Sequence, residues 1–362
     1  MRLGPTTILA AFLACAPGDA GMTTFGGPGG PPGDASTGST SSSTSSTSST
    51  GGDTSTGSTG SSEGSTAAET STGLVPDFGP LNPVGCQGKI DFLFVISDSS
   101  NMADYQERLL SAYPAFMQTI ADEFAEFDPH ILVTPASGGW GEYECEYCLG
   151  CPGCTCDAGG PDYPCGAGQQ LTQCDGLRGA GVVFPAGLGA TNHPCDLGGR
   201  RYITRDTPDP AAAFECVARL GTPGGQSTAA INNMFEALDA DMNGPDGCNE
   251  GFLREDALLV VTLIDINDGY SEYWPYVWDL RIVDKKGGDE DAIVVLAIES
   301  DSYLIDRFCE PHGSTYEAAR LHVFADTVAH GIKGSVCAPD YAPYFEEAAA
   351  LALKQCELLA PQ

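Results

Sequence analysis

KIDFLFVIS (residues 89–97) and ALLVVTLI (257–264) are short, almost unbroken apolar runs rich in β-branched and aromatic residues. A strand with one wet face alternates apolar and polar positions. A continuous run marks a strand buried on both faces, as in a parallel sheet covered by helices on either side. AIVVLAI (292–298) and HILVTPAS (130–137) repeat the pattern, and residues 334–337 add a weaker fifth strand. Between these runs the period changes. Residues 103–127 place Leu109, Leu110, Tyr113, Phe116, Met117, Ile120 and Phe124 at helical spacing. Asp209 and Pro210 supply an N-cap and a first-turn proline for a helix to Ala218, and further helices are predicted over 228–240, 276–283, 317–329 and 342–359. Strands alternating with amphipathic helices predict a doubly wound α/β domain with a mostly parallel sheet flanked by helices. Ligands of such folds sit at the carboxyl ends of the strands. Here those ends, residues 97–101 and 265–268, are polar.

Outward from this core, the chain divides by composition. Residues 35–72 are nearly all Ser, Thr and Gly, with too little apolar surface to offset backbone ordering, so 15–85 is expected to be a disordered tether. Residues 86–362 have globular composition and can bury a full core. Ahead of the tether, Arg2, an apolar segment at 8–13 and Ala14 precede Cys15, and this arrangement resembles a bacterial lipoprotein signal (1–14) cut before a lipidated cysteine. The apolar segment is too short to span a bilayer. The expectation is an exported protein held at the outer membrane or cell surface by lipid on Cys15.

The net charge of −33 is concentrated in the domain, since only six of the 49 acidic residues precede Cys86. Such a surface repels phosphate backbones, which argues against nucleic-acid partners. Cysteine points the same way as the leader. Fifteen cysteines are rare in a reduced cytosolic protein, and setting Cys15 aside leaves an even number for disulfides. Cys145, Cys148, Cys151 and Cys154, with Cys156 close behind, have metal-ligand spacing. In an oxidising compartment, within a Gly- and Pro-rich insert over about 138–200 that also holds Cys165, Cys174 and Cys195, disulfide stapling is the expected role. The sequence leaves the pairing of the cysteines open, although Cys337 and Cys356 flank the last helix and could close it locally.

The first strand and its sequel, DFLFVISDSSNM (91–102), look like the opening of a von Willebrand factor A-like domain. In that family a strand leads into an Asp-x-Ser-x-Ser loop, which a later Thr and a later Asp complete into a metal-ion-dependent adhesion site. The Gly-rich GTPGGQ (221–226) and the strand ending LIDIND (263–268) match further, and the resemblance covers about 89–356, strongest for secreted bacterial lipoproteins with a Ser/Thr-rich tether. It implies a site of Ser97, Ser99, Asn101, Thr222 (or Thr228) and Asp265, binding Mg2+ or Ca2+. Ser99 matches the motif directly, whereas Ser97 stands where the family has its leading Asp and Asn101 where it has its second Ser. Two readings stay open: a weakened metal site, or a remnant in which Ser97 and Asp265 are ordinary polar loop residues.

A second cation site is suggested by spacing alone. DADMNGPDGCNE (239–250) fits Asp-x-Asp-x-Asn-Gly closed by Glu at the twelfth position, with Asp239, Asp241, Asn243 and Glu250 as oxygen donors, and its alternative is an acidic surface turn. The chain shows no nucleophile elbow, no phosphate loop with Lys and no paired histidines at metal spacing. The resulting expectation is a surface binding or adhesion module for a protein or polysaccharide rather than an enzyme. A structural envelope lipoprotein with an inactive adhesion site is the alternative, and an enzyme ranks third.

Overall fold

The computed structural model describes residues 86, 88–124, 127–137, 172–223, 228–266, 268–310 and 320–359. The expected leader with Cys15, the tether, and the part of the insert that carries Cys145 to Cys165 lie outside them. The chain separates into two units, Met1–Gly73 and Leu74–Gln362, and the described residues belong to the second.

Five strands form one sheet: β1 (Lys89–Ile96), β2 (Asp128–Pro135), β3 (Leu258–Ile264), β4 (Ile293–Glu299) and β5 (Gly331–Ser335). Their order is β2-β1-β3-β4-β5 and every neighbouring pair is parallel. β5 starts three residues before its predicted run. Its pairing begins at Val295↔Gly331, and its glycines and lysine give it no apolar signal. Helices α1 (Ala103–Glu123), α2 (Pro210–Ala218) and α7 (Ala342–Leu358) cover one face, while α3 (Ala230–Ala237), α5 (Pro275–Lys285) and α6 (Arg320–Thr327) cover the other; α4 (Ala240–Asn243) is a single turn. Asp209 caps α2 as its sequence position implies, accepting from the Ala212 N–H at 3.0 Å.

Alternate residues of each strand feed separate cores, as the pleat requires. Ile90, Phe92, Phe94 and Ile96 pack beneath α1, α2 and α7, while Leu93 and Val95 face α3. Phe94 meets Phe214 at 4.9 Å and Phe116 at 5.7 Å between ring centroids, and Tyr113 stacks on Phe214 at 3.6 Å. These rings tie β1, α1 and α2 into one block, with about 1.5–3 kcal/mol of transfer free energy for each fully buried large side chain.

Four disulfides reinforce the described residues: Cys86–Cys356, Cys174–Cys248, Cys195–Cys216 and Cys309–Cys337. The expected closure of the last helix by Cys337 and Cys356 is therefore corrected. Cys356 instead holds the start of the domain, and Cys337 holds the loop after β4. Cys174 and Cys195 join the insert to the domain body.

The amino end of the sheet carries a buried ion cluster. Asp91 accepts from Arg254 Nε at 2.8 Å and from the Arg254 backbone N–H at 2.7 Å. The same guanidinium reaches Asp128 Oδ2 at 2.7 Å and the Asp128 carbonyl at 2.8 Å, joining β1 to β2. Burial outweighs Arg254 and pushes Asp91 up to about 6. Burial also holds His130 down to about 4. His130 is thus neutral near pH 7, donating from Nδ1 to the Phe252 carbonyl at 3.0 Å, and its 3.7 Å approach to Asp91 is not an ion pair there.

Candidate functional site

Strand order reverses between β1 and β3, and the crevice outside their carboxyl ends is where open α/β sheets bind ligands. Two backbone bonds set the residues there. Ser97 N–H donates to the Ile264 carbonyl at 2.8 Å and Asp265 N–H to the Ile298 carbonyl at 3.1 Å, so both side chains leave from the sheet's edge, buried. Ser97 Oγ donates to Ser99 Oγ at 3.3 Å, and Ser99 Oγ to Asn101 Oδ1 at 2.6 Å. The three residues of the predicted loop therefore converge in a short polar chain.

The Gly221 turn is brought against this loop by Gln106. Its Nε2 donates to the Ser97 carbonyl at 2.8 Å and the Gly221 carbonyl at 2.7 Å, while its Oε1 accepts from Gly221 N–H at 3.0 Å. Gln106 was missed by motif reading, yet it left a signal: it lies one turn before Leu109 on the buried stripe of α1, where a polar side chain needs partners. Gly221 is required at φ +70°, where a Cβ would stand 2.4 Å from the Leu188 carbonyl. Thr222, the next residue, donates its N–H to that carbonyl at 2.9 Å with Oγ1 3.5 Å away, and Thr228 is buried. Residues 224–227 of the Gly-rich stretch are outside the described set.

Several acids line the same edge, each engaged by the fold. Asp98 turns away from its neighbours to accept from Ser137 N–H at 3.2 Å, and burial raises it to about 6. Asp268 accepts from the Ser271 hydroxyl, and burial raises its pKa against the opposing pull of Ser271, Arg320 and the first amides of α3. Glu299, the last residue of β4, accepts from the Leu321 and His322 N–H groups at 3.1 Å each, so it caps α6. Its second oxygen is buried, and burial, then the nearby Asp268 and Asp265, drives its pKa well above the carboxylate range.

The donor chemistry at the adhesion-type loop is poor for a divalent ion. Ser97, Ser99 and Asn101 offer neutral oxygens, Asn101 Oδ1 is engaged by Ser99, and Asp265 is the one carboxylate of the predicted set. Hard divalent cations favour several charged oxygens, so these residues do not fit the ion that the sequence resemblance implies. The 239–250 segment also departs from a calcium loop. Asp239 is the N-cap of α4, accepting from Asp241 N–H at 2.9 Å, and Asn243 Oδ1 accepts from Leu253 N–H at 3.1 Å. Glu250 faces solvent, and Cys248 is tied to Cys174. Among the described residues, ligand atoms of His, Cys, Asp and Glu gather in threes within 4.8 Å only at Asp301, Cys309 and Cys337, where the two sulfurs form a disulfide.

Among the described residues no helix is long and apolar enough to cross a membrane. No protein-family model matches this chain, and no curated protein matches it.

Proposed function

We propose that the domain is a binding module of the von Willebrand factor A-like type, exported and tethered through Cys15, that takes a protein ligand at the carboxyl edge of its sheet without a bridging ion. The supporting observation is the convergence of Ser97, Ser99 and Asn101 beside Asp265 at the strand-order switch, with Gln106 stapling the Gly221 turn onto them. The donor set supports ion-independent recognition. Polar groups held in this way are pre-organised, which lowers the ordering cost of binding.

Immobilised full chain and its Asp265→Ala and Ser99→Ala variants, exposed to envelope extract with and without chelator, test the reading. A partner retained in chelator and lost in the variants supports it. Loss in chelator with recovery in Mg2+ or Ca2+ would restore the metal-dependent reading, and capture indifferent to both variants would move the contact elsewhere. Capture of nothing would favour a structural spacer. Cys15→Ser should shift the protein from the membrane to the soluble fraction, and unchanged fractionation removes the anchor.

A further inference from the structure

The sequence holds two Asp–Pro bonds, Asp128–Pro129 and Asp209–Pro210. This dipeptide carries its own means of scission. A side-chain oxygen of the aspartate that closes on the main-chain carbonyl carbon of the same residue forms a five-membered ring. The prolyl nitrogen, belonging to a tertiary amide, is more basic than an ordinary peptide nitrogen and leaves more readily. Ring closure then depends on where the carboxylate is held and on what stabilises the charge that develops on the carbonyl oxygen.

The fold treats the two bonds differently. At the first residue of β2, one guanidinium grips both kinds of oxygen: Arg254 Nη1 donates to Asp128 Oδ2 at 2.7 Å and Nη2 to the Asp128 carbonyl at 2.8 Å. Adjacent nitrogens of one planar group reach both only when the side chain is folded back beside its own carbonyl. The guanidinium is fixed in turn, because Arg254 Nε and the Arg254 N–H donate to the buried Asp91 at 2.8 and 2.7 Å. Asp128 N–H donates to the Gly88 carbonyl at 2.6 Å, which holds the main chain. The Asp128 side chain is 51 % exposed, so water reaches the bond, and among the described residues no hydrogen-bond donor meets Oδ1, the oxygen left to attack. Asp209 lacks the cation: its carbonyl accepts a neutral amide, the Ala213 N–H at 2.9 Å, and its Oδ1 is turned along α2 to the Ala212 N–H at 3.0 Å.

We propose that the folded domain cleaves its own chain between Asp128 and Pro129. Oδ1 adds to the Asp128 carbonyl carbon, and Arg254 stabilises the charge that builds on the carbonyl oxygen. The C–N bond then breaks as the prolyl nitrogen takes a proton from water. That step leaves a cyclic anhydride on Asp128 and a free amine on Pro129, and a second water opens the anhydride to two carboxylates. The pieces stay together, because Cys86 lies in the first and Cys356 in the second, and β1 remains paired between β2 and β3. Residues 129–362 would then be joined to the chain that precedes them by one described disulfide and by the sheet.

The test incubates the full chain in mildly acidic buffer made with heavy-oxygen water, folded and in urea, and follows the fragments by denaturing electrophoresis and mass spectrometry. Folded wild type should yield one piece ending at Asp128 and one starting at Pro129, separable only after reduction. One oriented donor is worth roughly 10²–10³-fold to a developing oxyanion, and at this half-exposed site Asp128–Pro129 should be cut at least about tenfold faster than Asp209–Pro210, a gap that closes in urea. Asp128→Glu keeps a carboxylate for Arg254 but enlarges the ring, so it should abolish the cut with unchanged melting. Heavy oxygen should enter the side-chain carboxyl of Asp128 as well as the new α-carboxyl, since water can open either carbonyl of the anhydride. Equal rates at the two bonds in the folded chain would overturn the proposal, because they would show only the ordinary lability of the dipeptide. Cleavage that survives Asp128→Glu, label confined to the α-carboxyl, or an Asp128–Pro129 bond that outlasts its counterpart in urea would overturn it equally.

Discussion

Replacing Arg254 with Met isolates the electrostatics of the buried cluster at the amino end of the sheet. The guanidinium contacts Asp91 and Asp128 and donates to the Ile90 carbonyl at 3.1 Å, so Met preserves much of the stem, and the backbone N–H that Asp91 accepts, while removing the charge that faces the buried carboxylate. Removing one partner of a buried ion pair costs about 3–5 kcal/mol. The pH dependence follows from Asp91, whose folded pKa of about 6 exceeds its ordinary 3.8 by roughly two units even with Arg254 present. The folded state therefore binds more protons between those values, and stability falls as pH rises through that window, by about 3 kcal/mol at completion. Without Arg254 the carboxyl takes up its proton at still higher pH. Arg254→Met should thus lose its full 3–5 kcal/mol near about pH 8 and distinctly less near about pH 5. His130 works oppositely: its folded pKa of about 4 lies below its ordinary 6.5, so its contribution is present above the latter and is lost as pH falls towards 4. The two contributions oppose each other across the shared window, so the decisive measurement is a double-mutant cycle. Urea unfolding of wild type, Arg254→Met, Asp91→Asn and the double variant at both pH values should show a coupling that shrinks on acidification. An equal loss at both pH values, or strict additivity of the two changes, would refute the reasoning.

Two further outcomes test the scaffold. Cys86→Ser with Cys356→Ser should lower global stability by about 2–5 kcal/mol in chemical unfolding, because that disulfide spans 270 residues and restricts the unfolded chain. Phe214→Ala, which removes the ring between Tyr113 and Phe94, should cost about 3–5 kcal/mol and shift the thermal midpoint in near-ultraviolet circular dichroism; a loss below about 1 kcal/mol would show that the block repacks freely.

The strands were legible because burial on both faces leaves an unbroken apolar run, and 89–97 and 257–264 map onto β1 and β3 almost residue for residue. β5 was displaced because pairing to β4, rather than side-chain burial, sets where it begins. The polar loop at 97–101 was legible as the polar stretch that ends β1, but Gln106 acts through a contact more than a hundred residues away in sequence, which no local pattern encodes. The 239–250 segment shows the converse problem. An aspartate that starts a calcium loop and one that starts a helix both accept an N–H two or three residues on, and Asp239 takes the second role. Arg320 and Tyr273 form the least legible feature, because the spacing of Arg320 gives no hint that it clamps the backbone of another loop.

The disulfide between Cys86 and Cys356 also has a mechanical meaning. The chain reaches β1 through Cys86, whose N–H donates to the Cys356 carbonyl at 3.1 Å, at the end of the sheet opposite the candidate binding face. A ligand held at that face and pulled against the preceding chain would load the parallel strands lengthwise. Tension would enter the domain through a covalent staple to α7 rather than through β1 alone. The hydrogen bonds of β1 to β2 and β3 would then be strained together in shear instead of being opened one after another, the arrangement in which a domain resists being pulled apart.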